Sequence, residues 1–245
     1  MMTSDDRSRA ANLADDPERA AEFRRNGLSL RDAARLFLTY QNARVLVPAA
    51  GAAIAARVVL GRFTRRDAAV LAVTVGIEPF VEWLVHVHVL HQPPRTLRGR
   101  TVELLSSRSH REHHLEPRDP RLVFVPDPAL VPILAGLAVG NALLIRRPRA
   151  IVTGIATSFT ILTAYEWTHF LIHSAYVPRT ALYRTIRRTH QLHHFRNENY
   201  WFGIITPVSD KVLHTYPAKD DVPASPTVKT LGTQVGGRGG GFAMP

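Results

Sequence analysis

The segment His110-Arg-Glu-His-His114 places three histidines within five residues, and the segment His190-Gln-Leu-His-His194 repeats this arrangement. A Glu-Trp dipeptide and two further histidines precede each segment. The chain therefore contains two copies of one pattern, E-W-x(1-2)-H-x(3-4)-H, a gap of 16 to 18 residues, and H-x-x-H-H. Two sets of five imidazoles predict a site for two metal ions. The ten patterned histidines are His86, His91, His110, His113, His114, His169, His173, His190, His193 and His194.

The spacing within the two copies is largely helical. Residues three and four positions apart share one face of a helix, so the histidines of each H-x-x-H-H segment can converge on one ion, as can His169 and His173. His86 and His91 are five residues apart, which predicts a helix end or a distorted turn. His88 lies off the repeated pattern, and we interpret it as an ordinary core or interfacial residue.

Two glutamates accompany the histidines. Imidazole nitrogen suits iron, zinc, copper or nickel, but a site of neutral imidazoles leaves the charge of the ions uncompensated. Glu82 lies four residues before His86, and Glu166 lies three before His169. We expect either carboxylate to accept the second ring N–H of a ligand and so fix its tautomer. A zinc-handling or transport protein is the rival interpretation, because histidine-rich tracts also bind zinc.

Composition excludes several kinds of site. The chain has 245 residues and no cysteine, which removes disulfides, iron–sulfur clusters, thiolate-ligated haem and cysteine zinc sites. Electrons for redox chemistry must then come from another protein or a diffusible donor. The net charge is +11, but the basic residues flank apolar runs and form no recognisable DNA-binding motif, so we expect no nucleic-acid partner.

Four apolar runs predict an all-α integral membrane protein with about four transmembrane helices in two hairpins and a cytoplasmic, histidine-rich cap that holds the two metals. The runs also contain carboxylates, Glu78, Glu82 and Glu166, which we expect to be functional because they lie near the metal site. Buried helices of a soluble bundle are the alternative. The runs are Val45–Leu60, Ala68–Leu90, Leu130–Ile145 and Ala150–Tyr165, the last of which continues into the third histidine cluster.

The arginines predict the orientation of the hairpins. They crowd the N-terminal segment and the segment between the second and third runs. By the positive-inside rule, Arg24, Arg100 and the residues beyond Pro217 are cytoplasmic, and Arg65 and Arg147 lie on the opposite side. All histidine clusters then meet on the cytoplasmic side. The 28 arginines against three lysines indicate a GC-rich genome and a bacterial inner membrane.

Three regions follow from the pattern along the chain. Residues 1–42 lack a secretory signal and form a cytoplasmic segment with an amphipathic helix beginning near Ser29 and Asp32. This helix lies on the membrane surface or packs against the protein. Residues 43–216 form the membrane-embedded domain. Residues 217–245 are rich in Pro, Gly and Thr, which predicts a disordered tail.

Two stretches resemble the fatty acid hydroxylase and sterol desaturase superfamily, and within it the fatty acid 2-hydroxylases. One is His110-Arg-Glu-His-His-Leu-Glu-Pro-Arg-Asp-Pro-Arg-Leu-Val, which is similar to H-x-x-H-H-x-x-P-x-D-x-x-R-L-V with one residue missing between Asp119 and Arg121. The other runs from Tyr165 through both later histidine clusters to Phe202-Gly-Ile and ends in Asp210-Lys-Val-Leu-His-Thr. The resemblance covers about Glu82 to Thr215.

The resemblance implies that all ten patterned histidines are ligands of a di-metal centre, generally taken as di-iron, and that His214 is a weaker candidate ligand or lining residue. There are departures from the family pattern. Ser174 and Thr189 stand where the 2-hydroxylases commonly have histidine, and Ser209 stands where they commonly have tryptophan. The H-P-G-G haem motif of the fused cytochrome b5 domain is absent from the chain.

The pattern and the resemblance together favour an oxygen-dependent hydroxylase of a lipid acyl chain, acting near its carboxyl end. Iron is the expected metal and zinc the alternative. The expected electron donor is a separate ferredoxin or cytochrome b5 type carrier with its reductase. A desaturase or hydroxylase of a sterol-like or carotenoid substrate is the second interpretation, and a non-catalytic zinc-binding membrane protein is the third.

Overall fold

The computed structural model describes residues 17–232 and is mostly helical. A two-stranded hairpin, Arg95–Leu97 (β1) and Arg100–Val102 (β2), follows the fourth helix. A π-helix, His86–Leu90, extends that same helix, and a short 3-10 helix covers Lys219–Asp221. The α-helices are Pro17–Phe23 (α1), Leu30–Phe37 (α2), Gln41–Val59 (α3), Arg65–Val85 (α4), Leu105–Leu115 (α5), Asp127–Leu144 (α6), Pro148–His173 (α7), Ala181–Phe195 (α8) and Val208–Val212 (α9).

Three helices are long and apolar enough to cross a membrane: α3, α4 together with its π-helical extension, and α6. Only 28%, 11% and 6% of their apolar windows are buried within the protein. Side chains such as Val59, Leu143 and Leu144 therefore lie on the surface, where a lipid environment would remove them from water. The predicted helical membrane architecture is confirmed, with three candidate spans where about four were expected.

The fourth apolar run lies in α7, which packs against α3, α4 and α6. Because α7 faces other helices, it tolerates small and polar residues that a lipid-facing helix would not. Its threonine hydroxyls donate to carbonyls four residues earlier, as Thr157 does to Thr153 at 2.8 Å. A Cβ at Gly154 would lie 2.1 Å from Asn141 Oδ1, so glycine is what allows α6 and α7 to approach closely here. This central helix carries two of the patterned histidines.

The predicted amphipathic helix is α2, and it packs against the protein. Ser29 caps it by accepting from the Asp32 N–H at 3.1 Å and donating to the Asp32 carboxylate at 2.7 Å. Its Phe37 is buried in an aromatic cluster, with ring centroids 5.1 Å from Trp167 and 5.5 Å from Phe170. The N-terminal segment therefore supports the end of α7 that bears the histidines.

Two local distortions shape the chain around the first histidine pair. The predicted distorted turn is the π-helix, in which the His91 N–H donates to the His86 carbonyl at 3.1 Å. This five-residue hydrogen bond brings both rings to one face. The β hairpin that follows was not predicted. Arg98 and Gly99 form its two-residue turn, both with positive φ, as tight hairpins require.

The chain beyond α9 differs from its compositional prediction. Residues 217–232, expected to belong to a disordered tail, lie against the loop after α8. Val222 and Leu231 are buried, and the Arg196 side chain donates to the Val222 carbonyl at 2.8 Å. This Pro- and Thr-rich segment holds one position because its backbone carbonyls accept hydrogen bonds from side chains in the loop after α8. Residues 1–16 and 233–245 lie outside the described part of the chain.

Candidate metal centre

The ten patterned histidines form two groups of five. Within each group, one ring nitrogen per residue lies within 4.8 Å of the corresponding nitrogens of the other four. All ten side chains are buried except that of His173, which is half-buried. Group 1 comprises His86, His91, His110, His114 and His193, and group 2 comprises His113, His169, His173, His190 and His194.

The two groups do not coincide with the two sequence copies. Each H-x-x-H-H helix gives its first and last histidine to its own copy's group and its middle histidine to the other group. Thus His113 joins the histidines of the second copy, and His193 joins those of the first. The prediction that each copy forms its own half-site is therefore corrected by an exchange of one residue each way. The exchange arises because positions i and i+4 share a helix face here, while i+3 points across to the facing helix.

The groups adjoin each other. The ring centroids of His114 in group 1 and His194 in group 2 lie 4.2 Å apart, and those of His193 in group 1 and His194 lie 5.6 Å apart. The ten rings thus form one continuous cluster with two foci, each of which is the point on which the ring nitrogens of one group converge. This arrangement suits two neighbouring metal ions in one centre.

The ring nitrogens suit a bound cation better than they suit one another. His190 Nε2 lies 2.9 Å from His173 Nε2, 3.0 Å from His194 Nε2 and 3.2 Å from His169 Nε2. A neutral imidazole has one N–H, so it cannot satisfy three such contacts. Several buried ring nitrogens also have no protein partner within the described chain, among them both nitrogens of His91 and the Nε2 atoms of His114 and His193. Orphaned lone pairs at this density fit a site that could hold metal ions.

Backbone carbonyls orient four of the rings, and two of these rings belong to the first histidine after each Glu-Trp dipeptide. His86 Nδ1 donates to the Phe202 carbonyl at 2.7 Å, and His169 Nδ1 donates to the Val123 carbonyl at 2.6 Å. A carbonyl oxygen can only accept, so Nδ1 carries the proton and Nε2 presents its lone pair to the cluster. His193 and His114 are held in the same way, by the carbonyls of Tyr200 at 2.8 Å and Val228 at 3.0 Å.

Glu82 and Glu166 act differently from the prediction. Neither carboxylate accepts a ring N–H from a histidine. Glu82 instead accepts the backbone N–H groups of Ile204 and Ile205, and Glu166 accepts the Val125 N–H at 3.0 Å. The glutamates therefore reach past the rings to the loops that carry the orienting carbonyls.

Both copies of the histidine pattern contain the same arrangement of glutamate, loop and histidine ring. In each copy, the glutamate binds the N–H of the residue two positions after the one whose carbonyl holds the histidine ring: Ile204 after Phe202, and Val125 after Val123. In both copies the carboxyl oxygen that accepts this N–H is buried, at a depth where an unpaired backbone N–H would be costly. The loop positions are thus tied to the helices that carry His86 and His169.

Asp210 supports the same loop as Glu82 from the other side. Its carboxylate accepts from the Phe202 N–H at 3.0 Å, the Gly203 N–H at 2.7 Å and the Thr215 hydroxyl at 2.7 Å. A Cβ at Gly203 would lie 2.3 Å from the Thr206 carbonyl oxygen, so only glycine fits. Gly203 and Asp210 belong to the family-like ending of the sequence, where no role could be predicted for them, and in the structure they hold this loop.

Burial keeps the histidines neutral. Desolvation lowers the pKa of His110, His114 and His190 well below the ordinary histidine value, and neighbouring imidazoles lower it further. Burial also lowers the pKa of His193 to about 4. At neutral pH these rings therefore offer lone pairs, which metal binding requires.

Two other histidines and the serine and threonine residues that depart from the family pattern lie outside the groups. His88 and His214 are exposed, and neither contributes to a histidine group in the part of the chain that the structure covers. His214 has a positive φ of 60° at the end of α9. Ser174 and Thr189 are buried, and their hydroxyls donate to the carbonyls of Leu171 and Ile186. Both polar groups are thus satisfied within their own helical segments.

The residues beyond α9 close one side of the cluster. The Val228 carbonyl that holds His114 belongs to a segment, residues 222–231, which we call the C-terminal strap. The Thr227 hydroxyl donates to the buried Glu198 carboxylate at 2.5 Å, and Asn197 donates to the Pro223 carbonyl at 3.2 Å. No sequence motif predicts this contact, because the group that touches His114 is a backbone carbonyl.

Comparison with known proteins identifies similar sequences. The family model described as fatty acid hydroxylase matches residues 71–215, which include both histidine groups. Fatty acid 2-hydroxylase of Rattus norvegicus is 32% identical over 138 residues, which make up 55% of this chain and 36% of the rat protein. Dihydroceramide fatty acyl 2-hydroxylase of Arabidopsis thaliana is 27% identical over 149 residues, 60% of each chain. This chain thus spans little more than a third of the rat relative.

A solved structure has a similar fold. The chain described as "Full length scs7p (only hydroxylase domain visible)" matches with a TM-score of 0.58 and 20% sequence identity. The match covers 79% of this chain and 68% of that one. The arrangement of helices is therefore shared.

Proposed function

This chain belongs to the fatty acid hydroxylase family, and we propose that it is an oxygen-dependent hydroxylase of a lipid acyl chain. The observation that carries the proposal is the pair of adjoining five-histidine groups. The names of the relatives, fatty acid 2-hydroxylase and dihydroceramide fatty acyl 2-hydroxylase, support an acyl substrate and a target carbon near its carboxyl end.

The ten histidines of groups 1 and 2 are the proposed ligands of two metal ions, with iron the expected metal. When bound, two reduced iron ions supply the activation of dioxygen that attack on an unactivated C–H bond requires and that amino-acid side chains do not provide. The orphaned ring nitrogens of His91, His114 and His193 support this assignment.

The chain's own residues prepare the ligands. The carbonyls of Phe202 and Val123 fix the tautomers of His86 and His169, so that Nε2 faces the centre. Glu82 and Glu166 hold the loops that carry those carbonyls. Because the rings are buried and neutral, they need neither dehydration nor deprotonation at the moment of binding, and bulk water is kept from the centre.

The proposed reaction consumes dioxygen, two electrons and two protons. A C–H bond of the acyl chain breaks and a C–O bond forms, with one oxygen atom in the product hydroxyl and the other reduced to water. The two electrons are assigned to a separate reductase and a small carrier of the ferredoxin or cytochrome b5 type. The absence of cysteine from the sequence supports this assignment, because the chain cannot ligate an iron–sulfur cluster by thiolates.

The proposed location is the cytoplasmic face of a bacterial inner membrane. In this arrangement residues 43–216 form the membrane-embedded hydroxylase domain and residues 1–42 a cytoplasmic segment. Exposed apolar surface on α3, α4 and α6 supports insertion in the bilayer, from which an acyl chain can approach. The arginine distribution supports a cytoplasmic position for the histidines and hence access for a soluble electron carrier.

The test is a reconstituted reaction with 18O2. The purified full chain, loaded with ferrous iron and supplied with a reductase and ferredoxin, is incubated with acyl lipids and analysed by mass spectrometry. We expect one 18O atom in the product hydroxyl, and no product with the His113→Ala variant. Label found only in water, together with a new double bond, would favour a desaturase. No change in acyl, sterol or carotenoid lipids would favour a zinc-binding protein.

A further inference from the structure

A basic cleft lies at the end of the helical bundle remote from the histidines. The turn between α3 and α4 and the turn between α6 and α7 enclose a cleft of about 610 Å³. Four of its lining residues are arginines, Arg65, Arg66, Arg147 and Arg149. Arg65 begins α4, whose 21 residues end just before His86, so the cleft is about 30 Å from the metal centre.

The acidic residue in this cleft is already engaged. Asp67 is buried, accepts from the Thr64 N–H at 2.8 Å and from the Thr153 hydroxyl at 2.7 Å, and pairs with Arg57 at 3.2 Å. Arg57 is in turn satisfied by Thr153 and by two carbonyls of the α3–α4 turn. These buried hydrogen bonds and the ion pair hold the α3–α4 turn in place. They leave no carboxylate to pair with the arginines of the cleft.

The four cleft arginines consequently lack ion-pair partners within residues 17–232. All four are exposed at the mouth of the cleft, so each guanidinium is free to turn toward a ligand. Four cations around one concavity attract an anion, and the planar fork of arginine binds phosphate oxygens in pairs. The chemistry of the cleft therefore favours a phosphate group.

The surroundings identify the source of that phosphate. The most exposed apolar side chains of the spanning helices lie within six residues of the cleft along the chain: Val58 and Val59 at 71% and 86% exposure, and Leu143 and Leu144 at 79% and 85%. Such side chains lie in hydrocarbon when the helices span a bilayer, which places the arginines at the level of the headgroups. We call these four apolar side chains the apolar collar. A free anion would make no favourable contact with the collar, whereas a phospholipid would contact both the arginines and the collar.

We propose that this cleft binds the phosphate group of an anionic phospholipid, with Arg65, Arg66, Arg147 and Arg149 around the headgroup and the acyl chains along the collar. The bound lipid would join the two turns across their shared cleft. This site is separate from the histidine centre, and the proposal does not depend on the reaction assigned to that centre.

The experiment measures lipid binding to the full chain purified in a neutral detergent. Native mass spectrometry and thermal unfolding are recorded with phosphatidylglycerol, phosphatidylcholine or inorganic phosphate. The cleft variant is Arg66→Gln with Arg149→Gln. The matched control, Arg95→Gln with Arg100→Gln, removes two exposed arginines from the β hairpin at the other end. We expect phosphatidylglycerol to bind and stabilise the wild type and the control, with at least a fivefold weaker apparent affinity for the cleft variant.

Two results would overturn the proposal: equal affinity of the cleft variant and the wild type for phosphatidylglycerol, or equal affinity of the wild type for phosphatidylglycerol and phosphatidylcholine. Stabilisation by inorganic phosphate as strong as that by phosphatidylglycerol would reject the lipid as the source and assign the cleft to free phosphate. Metal content serves as a fold control, because neither pair of substitutions touches the histidine groups.

Discussion

The Nε2 atoms of His113 and His173 lie 3.2 Å apart, although the two residues belong to different copies of the histidine pattern. His193 makes the reciprocal crossing into group 1. The two copies are therefore interlocked through the histidines proposed above as metal ligands. Damage to either H-x-x-H-H helix is expected to affect both foci of the centre.

The first prediction concerns metal content. The purified wild-type chain should contain about two metal ions, one for each histidine group. His113→Ala and His193→Ala should each lower this number, because each removes a buried ligand from one group and a neighbour from the other. Inductively coupled plasma mass spectrometry measures the content, and the exposed His88→Ala serves as the control. Full occupancy in both ligand variants would contradict the assignment.

The second prediction concerns the two glutamates. Glu166→Leu should lower metal affinity about 10- to 100-fold, because it releases the Val125 N–H and with it the loop that holds His169. Glu166→Gln, which keeps an acceptor oxygen, should retain most of the affinity. Glu82→Leu and Glu82→Gln should behave as the corresponding pair at the other copy. Equilibrium competition with a chelator measures the affinity, and equal affinities for the Leu and Gln variants would argue against the hydrogen bond.

The third prediction concerns the C-terminal strap. Truncation after Asp221 removes the Val228 carbonyl that orients His114, so this variant should lose metal to a chelator faster than the wild type. Truncation after Gly232 leaves the strap in place and is the matched control. Thr227→Val, which cuts the bond to Glu198, should give a smaller increase in the same direction. If both truncations release metal at the wild-type rate, the strap has no part in holding the site.

The fourth prediction is the orientation in the membrane. The chain has no cysteine, so single-cysteine variants can be labelled without background. Cysteines at Arg24 and Arg100 should react only with reagents that reach the cytoplasm, and cysteines at Arg65 and Arg147 only with reagents on the other side. Labelling of the Arg100 position from outside would separate the histidines from cytosolic electron carriers and refute the proposed topology.

Much of the fold and of the candidate site could be predicted from the sequence, because the relevant signals are local. Apolar runs predicted the long helices, and the five-residue spacing of His86 and His91 predicted the distortion that the π-helix provides. The lower apolarity of α7 became understandable only from its central position among the other helices.

The remainder depends on how distant segments meet. Helical spacing left open whether His113 or His114 joins His110, and the docking of α5 against α8 decides the choice. The partners of Glu82 and Glu166 could not be predicted because they are backbone N–H groups, which every residue except proline carries. The same reason hid the contact between Val228 and His114.

The crossing of His113 and His193 also orders events during biogenesis. The last ligand of group 1 to be synthesised is His193 and the last of group 2 is His194, so both groups become complete within one residue of each other. All the long apolar helices are synthesised before that point. With the ten histidines as the proposed ligands, metal binding would follow insertion, and a cell short of metal is expected to accumulate inserted, metal-free protein rather than chains stalled at the translocon.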